Sequence, residues 1–259
     1  MANGEKRKTI KWAREKALPL IITLAVLVLA WTLARVFVGN ELLVPDFSAC
    51  VKEVFRLLGK GEFWTSFVST LFRIFCAFCI SFCLAFLAAV LSYVKQGLRM
   101  FLTPIVSFLR SLPTLAVVLL LLVWYGAGVA PVIVAFLSLF PMLYTEILSA
   151  FLQTDEKLIE MSKVYRVPLK ERILRLYIPS ALPYVIRSSG AALAFSLKLV
   201  VSAEVLSGTY NSLGGMMQNA KLYMEIPLLF ALILLTFLMG WGLECLGALV
   251  AEFVQRRKR

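Results

Sequence analysis

The sequence contains no histidine and few charged residues: 16% of its 259 residues are charged, whereas 61% are hydrophobic. Soluble globular domains carry about 25% charged residues, so this composition excludes that class and predicts an integral membrane protein. The sequence also lacks paired metal-binding carboxylates and any nucleophile placed beside a base. Catalysis and metal binding need such groups, so we predict no catalytic residue, no metal site and no enzymatic activity in this chain.

The five cysteines do not change this interpretation, although three of them form the run "CAFCISFC" from Cys76 to Cys83. The run contains a CxxC spacing, but it lies in an apolar segment without a carboxylate that could complete a metal site. Free cysteine is a small, polarizable hydrophobic residue that suits helix packing. We therefore interpret these cysteines as packing residues.

Long apolar runs are the dominant feature of the chain. A helix needs about 20 apolar residues to cross a hydrocarbon core of about 30 Å. The segments of that length are residues 18–38, 67–92, 101–124, 130–152, 180–203 and 228–251. The first follows a basic tail, but its run is too long for a signal peptide and no small-residue cleavage site follows, so we expect it to stay as an anchor. The sequence predicts an all-α membrane protein with six transmembrane helices.

Basic residues account for the net charge of +12, and they are concentrated in alternate connections between the predicted spans. They occupy the tail at residues 1–17, the connection with Lys95 and Arg99, the stretch 154–179 and the C-terminal residues 252–259. Lys and Arg of short loops remain on the cytoplasmic side, so these regions and both termini are predicted to be cytoplasmic. We assign the charge to orientation in the lipid bilayer and to headgroup contacts, and we predict no nucleic-acid partner.

The connection at residues 39–66 is predicted to lie outside and to contain an amphipathic helix. Its apolar residues Val51, Val54, Phe55 and Leu58 follow helical spacing, and Gly59 supplies a stop. Residues 67–251 would then form a five-helix core that includes the cytoplasmic stretch 154–179.

That cytoplasmic stretch, within "EKLIEMSKVYRVPLKERILRLYIPSALP", is predicted to form two short helices. Thr154 or Asp155 can cap the first helix, and Pro168 suits the first turn of the second. One face of the first helix carries Leu158, Met161, Ser162 and Tyr165. Two interpretations are open: a basic loop that holds anionic lipid headgroups, or a pair of helices received by a groove on a partner protein.

The same stretch resembles the cytoplasmic signature of binding-protein-dependent ABC importer permeases. That signature is a Glu-Ala-Ala triplet, three residues, a glycine, and an Ile or Leu followed by proline. It aligns with Glu160, Met161, Ser162, Arg166, Ile178 and Pro179. Both alanines and the glycine are replaced, and an arginine resists the positive φ that glycine adopts freely.

From about Leu43 onward, segments such as "RSLPTLAVVLLLLVWYGAG", "FPMLYTEILSAF" and "VVSAEVLSGTYNSLGGMM" resemble the sulfonate, nitrate and taurine branch.

The resemblance implies a multi-pass permease of the bacterial inner membrane that pairs with a second copy, docks two cytoplasmic ATPase subunits and receives solute from an external binding protein. The docking element, called the coupling helix, would consist of Leu158, Glu160, Met161, Ser162, Tyr165, Arg166 and Pro168. The chain has no phosphate loop, so we predict that it binds no cofactor and that ATP and Mg belong to the ATPase. The alternative is a secondary transporter driven by an ion gradient, a class in which internal repeats are expected.

Charged residues within the predicted spans are further candidates for function, because a central charge costs about 2.5 to 3.5 kcal/mol on insertion scales. They are Arg73, Arg110, Glu146, Arg187, Lys198 and Glu244. Arg110 precedes Pro113, which is predicted to bend the third span. Arg110 is expected either to line the translocation path or to form an ion pair with Glu146. Arg187 and Lys198 are expected to extend toward opposite membrane surfaces, and Glu244 to lie in helix packing.

Glu204 is the last candidate, at the predicted outer end of the fifth span. It is expected to contact the binding protein or brace an outer gate, or else to be a solvated interfacial acid. The neighbouring Gly214 and Gly215 are expected to permit a turn or a close helix approach.

Overall fold

The computed structural model describes residues 22–23, 26, 28–40 and 43–256. All regular secondary structure in these ranges is helical, which confirms the predicted all-α class there. The chain divides into two compact units, one of residues 1–59 with 220–231 and one of residues 60–219 with 232–259. The predicted basic tail, the first part of the first span and the last three residues lie outside the described residues.

The helices are numbered in chain order. They are α1 Val28–Val38, α2 Phe47–Leu58, α3 Gly61–Val94, α4 Gln96–Ser111, α5 Thr114–Tyr125, α6 Ala130–Leu152, α7 Glu156–Val164, α8 Leu169–Arg172, α9 Ile178–Ser207, α10 Leu213–Leu222 and α11 Ile226–Arg256. A π-helical turn, Ile173–Tyr177, joins α8 to α9.

Four helical segments in the described part of the chain are long and apolar enough to cross a membrane: α3, α6, Leu169–Ser207 and Ile226–Phe253. They correspond to four of the six predicted spans. The predicted third span is divided into α4 and α5, which are bent by 92° and bring the number of spans to five if the pair is one span. The predicted first span appears in the described residues as the shorter apolar helix α1.

The break between α4 and α5 has a local cause at Pro113, where the sequence predicts a bend. Proline has no backbone N–H, and it disfavours the helical conformation of the residue before it. Leu112 is accordingly extended, with φ −65° and ψ 129°, and Pro113 is also extended. The helix therefore ends at Ser111 and a new helix begins at Thr114.

The core of the larger unit lies where α3 packs along α6 and α9. The buried face of α3 consists largely of small residues at helical spacing: Ser66, Thr70, Ala77, Ser81, Ala85, Ala89 and Ser92. Small side chains let helix backbones approach closely in a membrane, where the contact is held by packing and hydrogen bonds. One such hydrogen bond runs from the Tyr144 hydroxyl of α6 to Ser92 Oγ, at 2.9 Å.

The smaller unit is organised around Trp31 of α1. Its ring packs edge-on against Phe47 and Phe230, with centroid distances of 6.4 and 4.6 Å, and its Nε1 donates to the carbonyl of Pro45 at 3.1 Å. The expected helix at residues 39–66 is α2, which ends before Gly59. Its buried residues are Cys50 and Leu57, whereas Phe55 is 70% exposed, so the apolar face differs from the predicted stripe.

Candidate functional site

A buried carboxylate, Glu204, joins three helices of the larger unit. Its side chain has no exposed surface. Arg73 Nη1 of α3 donates to Oε1 at 3.0 Å, and the Thr70 hydroxyl donates to Oε2 at 2.9 Å. The Gly214 amide, at the start of α10, donates to Oε2 at 3.2 Å. Glu204 is therefore not the solvated interfacial acid, nor does it face a surface on which an external protein could dock; both expectations are wrong.

The network extends one step further through Thr70, whose Oγ1 accepts a hydrogen bond from the Leu213 amide at 3.0 Å. Leu213 and Gly214 are the first residues of α10, where backbone N–H groups have no partner within the helix. The carboxylate thus caps α10 and lies at its positive end. Burial of a charge costs several kcal/mol, and here an ion pair and two further donors offset that cost.

Two adjacent glycines, Gly214 and Gly215, let the start of α10 lie close to the end of α9. A Cβ atom on Gly214 would lie 2.4 Å from Glu204 Cβ, and one on Gly215 would lie 2.0 Å from the carbonyl oxygen of Thr209. Real Cβ atoms do not come this close to other heavy atoms, so a larger residue would push α10 away from α9. The expected close helix approach at Gly214 and Gly215 is confirmed.

Arg110 and Glu146 do not form the expected ion pair. In the part of the chain that the structure describes, Arg110 makes no hydrogen bond or salt bridge, and Glu146 Oε2 is buried without a hydrogen-bond partner. Arg110 is exposed near the end of α4 and, with Thr145 and Ser149 of α6, lines a cavity of about 210 Å³. The two side chains are therefore not in direct contact, although the charge of Arg110 acts on the Glu146 carboxyl, and Arg110 lines the cavity.

The stretch after α6 folds into the two short helices that its sequence predicts, which we call the knob (residues 155–177). Asp155 caps α7, since its carboxylate accepts from the Lys157 amide at 2.9 Å. Pro168 lies one position before α8 and not in its first turn. The second part departs from a regular helix, because residues 173–177 form the π-helical turn.

Arg166 adopts the conformation that a glycine would favour at its position in the family signature. Its φ is +54°. The Val167 amide donates to the carbonyl of Ser162 and the Arg166 amide to that of Lys163, both at 3.0 Å, which is the Schellman pattern of helix ends. A left-handed conformation costs a non-glycine residue about 1 to 2 kcal/mol. Arg166 therefore forms a turn that a glycine would form without this steric cost.

The surface of the knob combines exposed apolar and charged side chains. Met161, Val164 and Tyr165 are 53%, 78% and 75% exposed, and Leu158 and Glu160 are also exposed. Of the predicted face, only Ser162 is buried, and its hydroxyl bonds within α7. Val164 belongs to the exposed set although the helical spacing did not include it.

Aromatic contacts join the knob to the helices of the larger unit. The buried Tyr177 packs edge-on against Tyr93 of α3, with ring centroids 4.7 Å apart. Tyr93 also contacts Phe151 of α6, at 5.8 Å. The structure thus brings Tyr177 of the knob together with the C-terminal ends of α3 and α6, while Glu204 lies near the other end of α9.

Thr70 and Arg73 are the site residues that sequence reasoning missed. Arg73 was recognised as a charge within a span, but it lies 131 positions from Glu204, and Thr70 lies 134 positions away. Their spacing on one face of α3 was a signal that both point to the same neighbour. The identity of that neighbour depends on helix packing.

Comparisons with known proteins agree with this architecture. Residues 81–259 match the model of the family described as binding-protein-dependent transport system inner membrane component. The chain is 23% identical over 236 residues to the putative aliphatic sulfonates transport permease protein SsuC of Bacillus subtilis, covering 90% of this chain and 83% of that protein. It is 24% identical over 253 residues to the taurine transport system permease protein TauC of Escherichia coli, covering 93% and 92%.

Solved structures share the fold. A crystal structure of an amino acid ABC transporter has a TM-score of 0.62 at 16% identity, covering 82% of this chain and 98% of that chain. An inward-facing form of the MetNI methionine ABC transporter has a TM-score of 0.61 at 18% identity, covering 77% and 97%. The chain belongs to the family of binding-protein-dependent transport system inner membrane components, the multi-pass permease subunits of ABC transporters.

Proposed function

We propose that this chain is the permease subunit of an ATP-driven importer that passes a small solute with a sulfonate group, such as an aliphatic sulfonate or taurine, from an external binding protein into the cytoplasm. The observation that supports the proposal is the knob, which has a left-handed turn where the signature has its glycine and exposes apolar side chains beside that turn. The names of the relatives, for aliphatic sulfonates and taurine, support the solute class.

The knob has the properties of a docking element. Met161, Val164 and Tyr165 expose apolar surface that would be unfavourable in water and favourable in a cleft on another protein. Several basic residues surround this surface, among them Lys163, Arg166 and Lys170. A cytoplasmic ATPase with an apolar cleft and an acidic rim fits this surface, and it would bind the ATP and Mg that the transport cycle needs.

The connections of the knob suggest how ATPase motion reaches the membrane helices. Tyr177 and Tyr93 transmit a displacement of the knob to α3, and Phe151 transmits it to α6. The other end of α3 holds Arg73, which fixes Glu204 and α10. We assign Glu204 the role of a brace for an outer gate, and Arg110 and Pro113 the role of residues near the translocation path at the α4–α5 break.

We also propose that two copies of this chain assemble around the path. Charged side chains on the spanning helices need protein or water around them. A second copy would supply protein contacts, and the path between the two copies would hold water. The ion-driven secondary transporter is the competing function, but it offers no reason for an exposed apolar knob on the cytoplasmic side.

The test is co-purification from the native membrane followed by ATP hydrolysis, comparing wild type with Glu160→Lys/Met161→Asp. We expect an ATPase subunit to accompany the wild-type chain and to be lost from the double variant, because the change inverts a charge and buries a new one in the interface. The conservative pair Glu160→Gln/Met161→Leu is the matched control and should keep the ATPase. Uptake that survives the double variant without any ATPase would support the ion-driven alternative.

A further inference from the structure

A cavity lies at the base of the knob, between the end of α6, the start of α7 and the first turns of α9. Its volume is about 300 Å³. Its lining includes Gln153, Thr154, Asp155, Leu158, Ser180 and Tyr184. Leu158 is also part of the exposed apolar surface of the knob. The cavity therefore adjoins the surface to which we assign the ATPase.

One wall of the cavity contains a buried hydroxyl group without a partner. Thr154 is 6% exposed, and its Oγ1 makes no hydrogen bond within the part of the chain that the structure describes. Asp155, and not Thr154, caps α7, so the hydroxyl has no role at the end of that helix. A buried hydroxyl without a hydrogen bond is unfavourable until a partner supplies one. This wall is therefore suited to an occupant with hydrogen-bond donors.

The cavity also differs in charge from the surface around it. Asp155 supplies its charged side chain, and no described lysine or arginine lines it. The Lys157 amide donates to Asp155 Oδ1 at 2.9 Å, but a carboxylate has about four acceptor positions, so others remain for a ligand. The knob otherwise carries many basic residues, which are Lys157, Lys163, Arg166, Lys170, Arg172 and Arg175. The cavity is thus a site for a cation within a surface that attracts anions.

The shape and chemistry of the lining favour a guanidinium group as that cation. Tyr184 contributes a partly exposed aromatic ring, on which a planar guanidinium stacks. Leu158 and two alanines, one from α6 and one from α9, supply apolar surface for a methylene chain. Asp155, Thr154 and Gln153 offer acceptor oxygens for the five N–H donors of an arginine. A lysine has three donors and does not stack in this way.

We propose that this cavity receives an arginine side chain of the ATPase subunit that docks on the knob. The inference rests on the proposed function and adds an ionic contact to the apolar one. The guanidinium donates to the Asp155 carboxylate and the Thr154 hydroxyl and stacks on Tyr184. Apolar surfaces tolerate small displacements, whereas a charge-assisted hydrogen bond requires a defined geometry. The cavity thus fixes the position of the knob on the ATPase and selects an ATPase that carries the matching arginine.

A matched pair of carboxylates separates this contact from general attraction between the two surfaces. Glu171 of α8 is exposed on the same knob but does not line the cavity. Loss of its charge makes the knob more basic, which leaves binding to an acidic surface unchanged or strengthens it. Loss of the Asp155 charge makes the knob more basic to the same extent, but it removes the counter-ion of the arginine. The two substitutions therefore have different expected signs.

The experiment measures the affinity of the full chain in lipid nanodiscs for the ATPase subunit recovered from the same membrane, by biolayer interferometry. Asp155→Asn should weaken binding about tenfold or more, as expected for the loss of a hydrogen bond between charged groups. Asparagine caps a helix as well as aspartate does, so the unfolding temperature should change little. Glu171→Gln should leave the affinity unchanged or raise it. Unchanged affinity in Asp155→Asn, or equal weakening in both variants, would overturn the proposal.

Thr154→Val tests the buried hydroxyl, because valine has nearly the same shape. The unfolding temperature of the chain without the ATPase should rise, since a buried polar group that lacks a partner is removed. Binding of the ATPase should weaken about fivefold or more, since the guanidinium loses an acceptor. A variant that binds the ATPase as tightly as wild type does would overturn the proposal.

Double-mutant cycles identify the arginine. Each arginine of the ATPase is replaced by methionine and tested against wild type and against Asp155→Asn. One replacement should weaken binding to wild type about tenfold and have little further effect on binding to Asp155→Asn, because the two side chains then form one contact. Additive effects for every arginine would overturn the proposal.

Two other occupants have their own signatures. If N-acetylarginine amide binds the chain without the ATPase while Asp155→Asn abolishes that binding but not ATPase binding, the cavity is a small-molecule site and the proposal fails. If Asp155→Asn loses the second copy, as seen by size-exclusion chromatography with light scattering, the cavity is a contact between copies and the proposal also fails. In both cases the ATPase still binds wild type and the importer stands. Absence of any ATPase from the wild-type complex would instead overturn the proposed function.

Discussion

Helix α9 carries two kinds of charge within a few turns of each other. Glu204 has no exposed surface and is bound by Arg73, Thr70 and the Gly214 amide, whereas Lys198 is exposed and has no partner among the described residues. The first charge holds α3, α9 and α10 together. The second makes no such contact in the part of the chain that the structure describes. The two charges of α9 thus differ in whether this chain supplies a partner for them.

The largest expected effect comes from breaking the buried pair. Arg73→Met leaves the carboxylate of Glu204 buried without its counter-ion, so we expect a loss of about 3 to 5 kcal/mol in stability. Thermal unfolding in detergent and the amount of protein in the membrane measure it. Lys198→Met is the matched control and should leave stability unchanged or raise it.

Removal of both charges tests the physical reason for that loss. Arg73→Met/Glu204→Gln should recover part of the stability, because no uncompensated charge remains buried. If the double variant is as unstable as Arg73→Met, or if Lys198→Met is equally damaging, the distinction between the two kinds of charge fails.

A smaller effect is expected from the glycine that lets α10 approach Glu204. Gly214→Ala places a Cβ 2.4 Å from Glu204 Cβ and 2.6 Å from the Val205 nitrogen, so we expect destabilisation of about 1 to 3 kcal/mol. Gly242→Ala on α11 meets no atom within 4 Å and should stabilise its helix by up to about 1 kcal/mol. We expect the unfolding temperature to fall in Gly214→Ala and to rise in Gly242→Ala. Equal changes in the two variants would contradict this expectation.

In the knob, the left-handed conformation of Arg166 costs stability, in contrast to the buried charge of Glu204, which is compensated by its partners. Arg166→Gly should stabilise the end of α7 by about 0.5 to 1 kcal/mol, because glycine adopts φ +54° without the steric cost but is more flexible when unfolded. Amide hydrogen exchange of α7 measures this. Arg166→Ala removes the charge and keeps the steric cost, so slower exchange in that variant too would show that the charge, and not φ, is responsible.

The smallest effect is expected at an exposed carboxylate of the smaller unit. The Ser48 hydroxyl donates to Asp46, and together with the charge of Arg35 it lowers the pKa of that carboxyl below its usual value. A lowered pKa in the folded state stabilises the fold above the pKa of the unfolded state, and this contribution is lost as pH falls through the folded value.

Ser48→Ala should therefore raise the pKa of Asp46 and reduce the acid sensitivity of the smaller unit, as followed by the Trp31 environment between neutral pH and about pH 3. Ser149→Ala, in the larger unit, is the control. An Asp46 pKa that stays low in Ser48→Ala would exclude the hydroxyl as its main cause.

Local signals in the sequence were sufficient for most of the architecture. Apolar runs predict α3, α6, α9 and α11, because a membrane helix satisfies its own backbone hydrogen bonds and needs only length and hydropathy. The break at Pro113 also follows from local chemistry, since proline removes a donor and constrains the residue before it. The capping of α7 by Asp155 is local as well.

Expectations that depended on a partner in space were less successful. The position of Glu204 at the end of a predicted span left a docking contact, a gate brace and a solvated acid open, and Arg110 could line the path or pair with Glu146. The orientation of each side chain around its helix decides such contacts, and a rotation of one residue moves it by about 100°.

The sequence by itself determined the helical class, the membrane location, the knob and the family, because hydropathy, proline and capping residues act over one or two turns. Only the tertiary structure decided which charges have a partner. Arg73 of α3 binds Glu204 of α9, whereas Lys198 and Glu244 line one open groove. The physical reason is that a buried charge is stable only with a partner, and helix packing selects that partner from residues far apart in the chain.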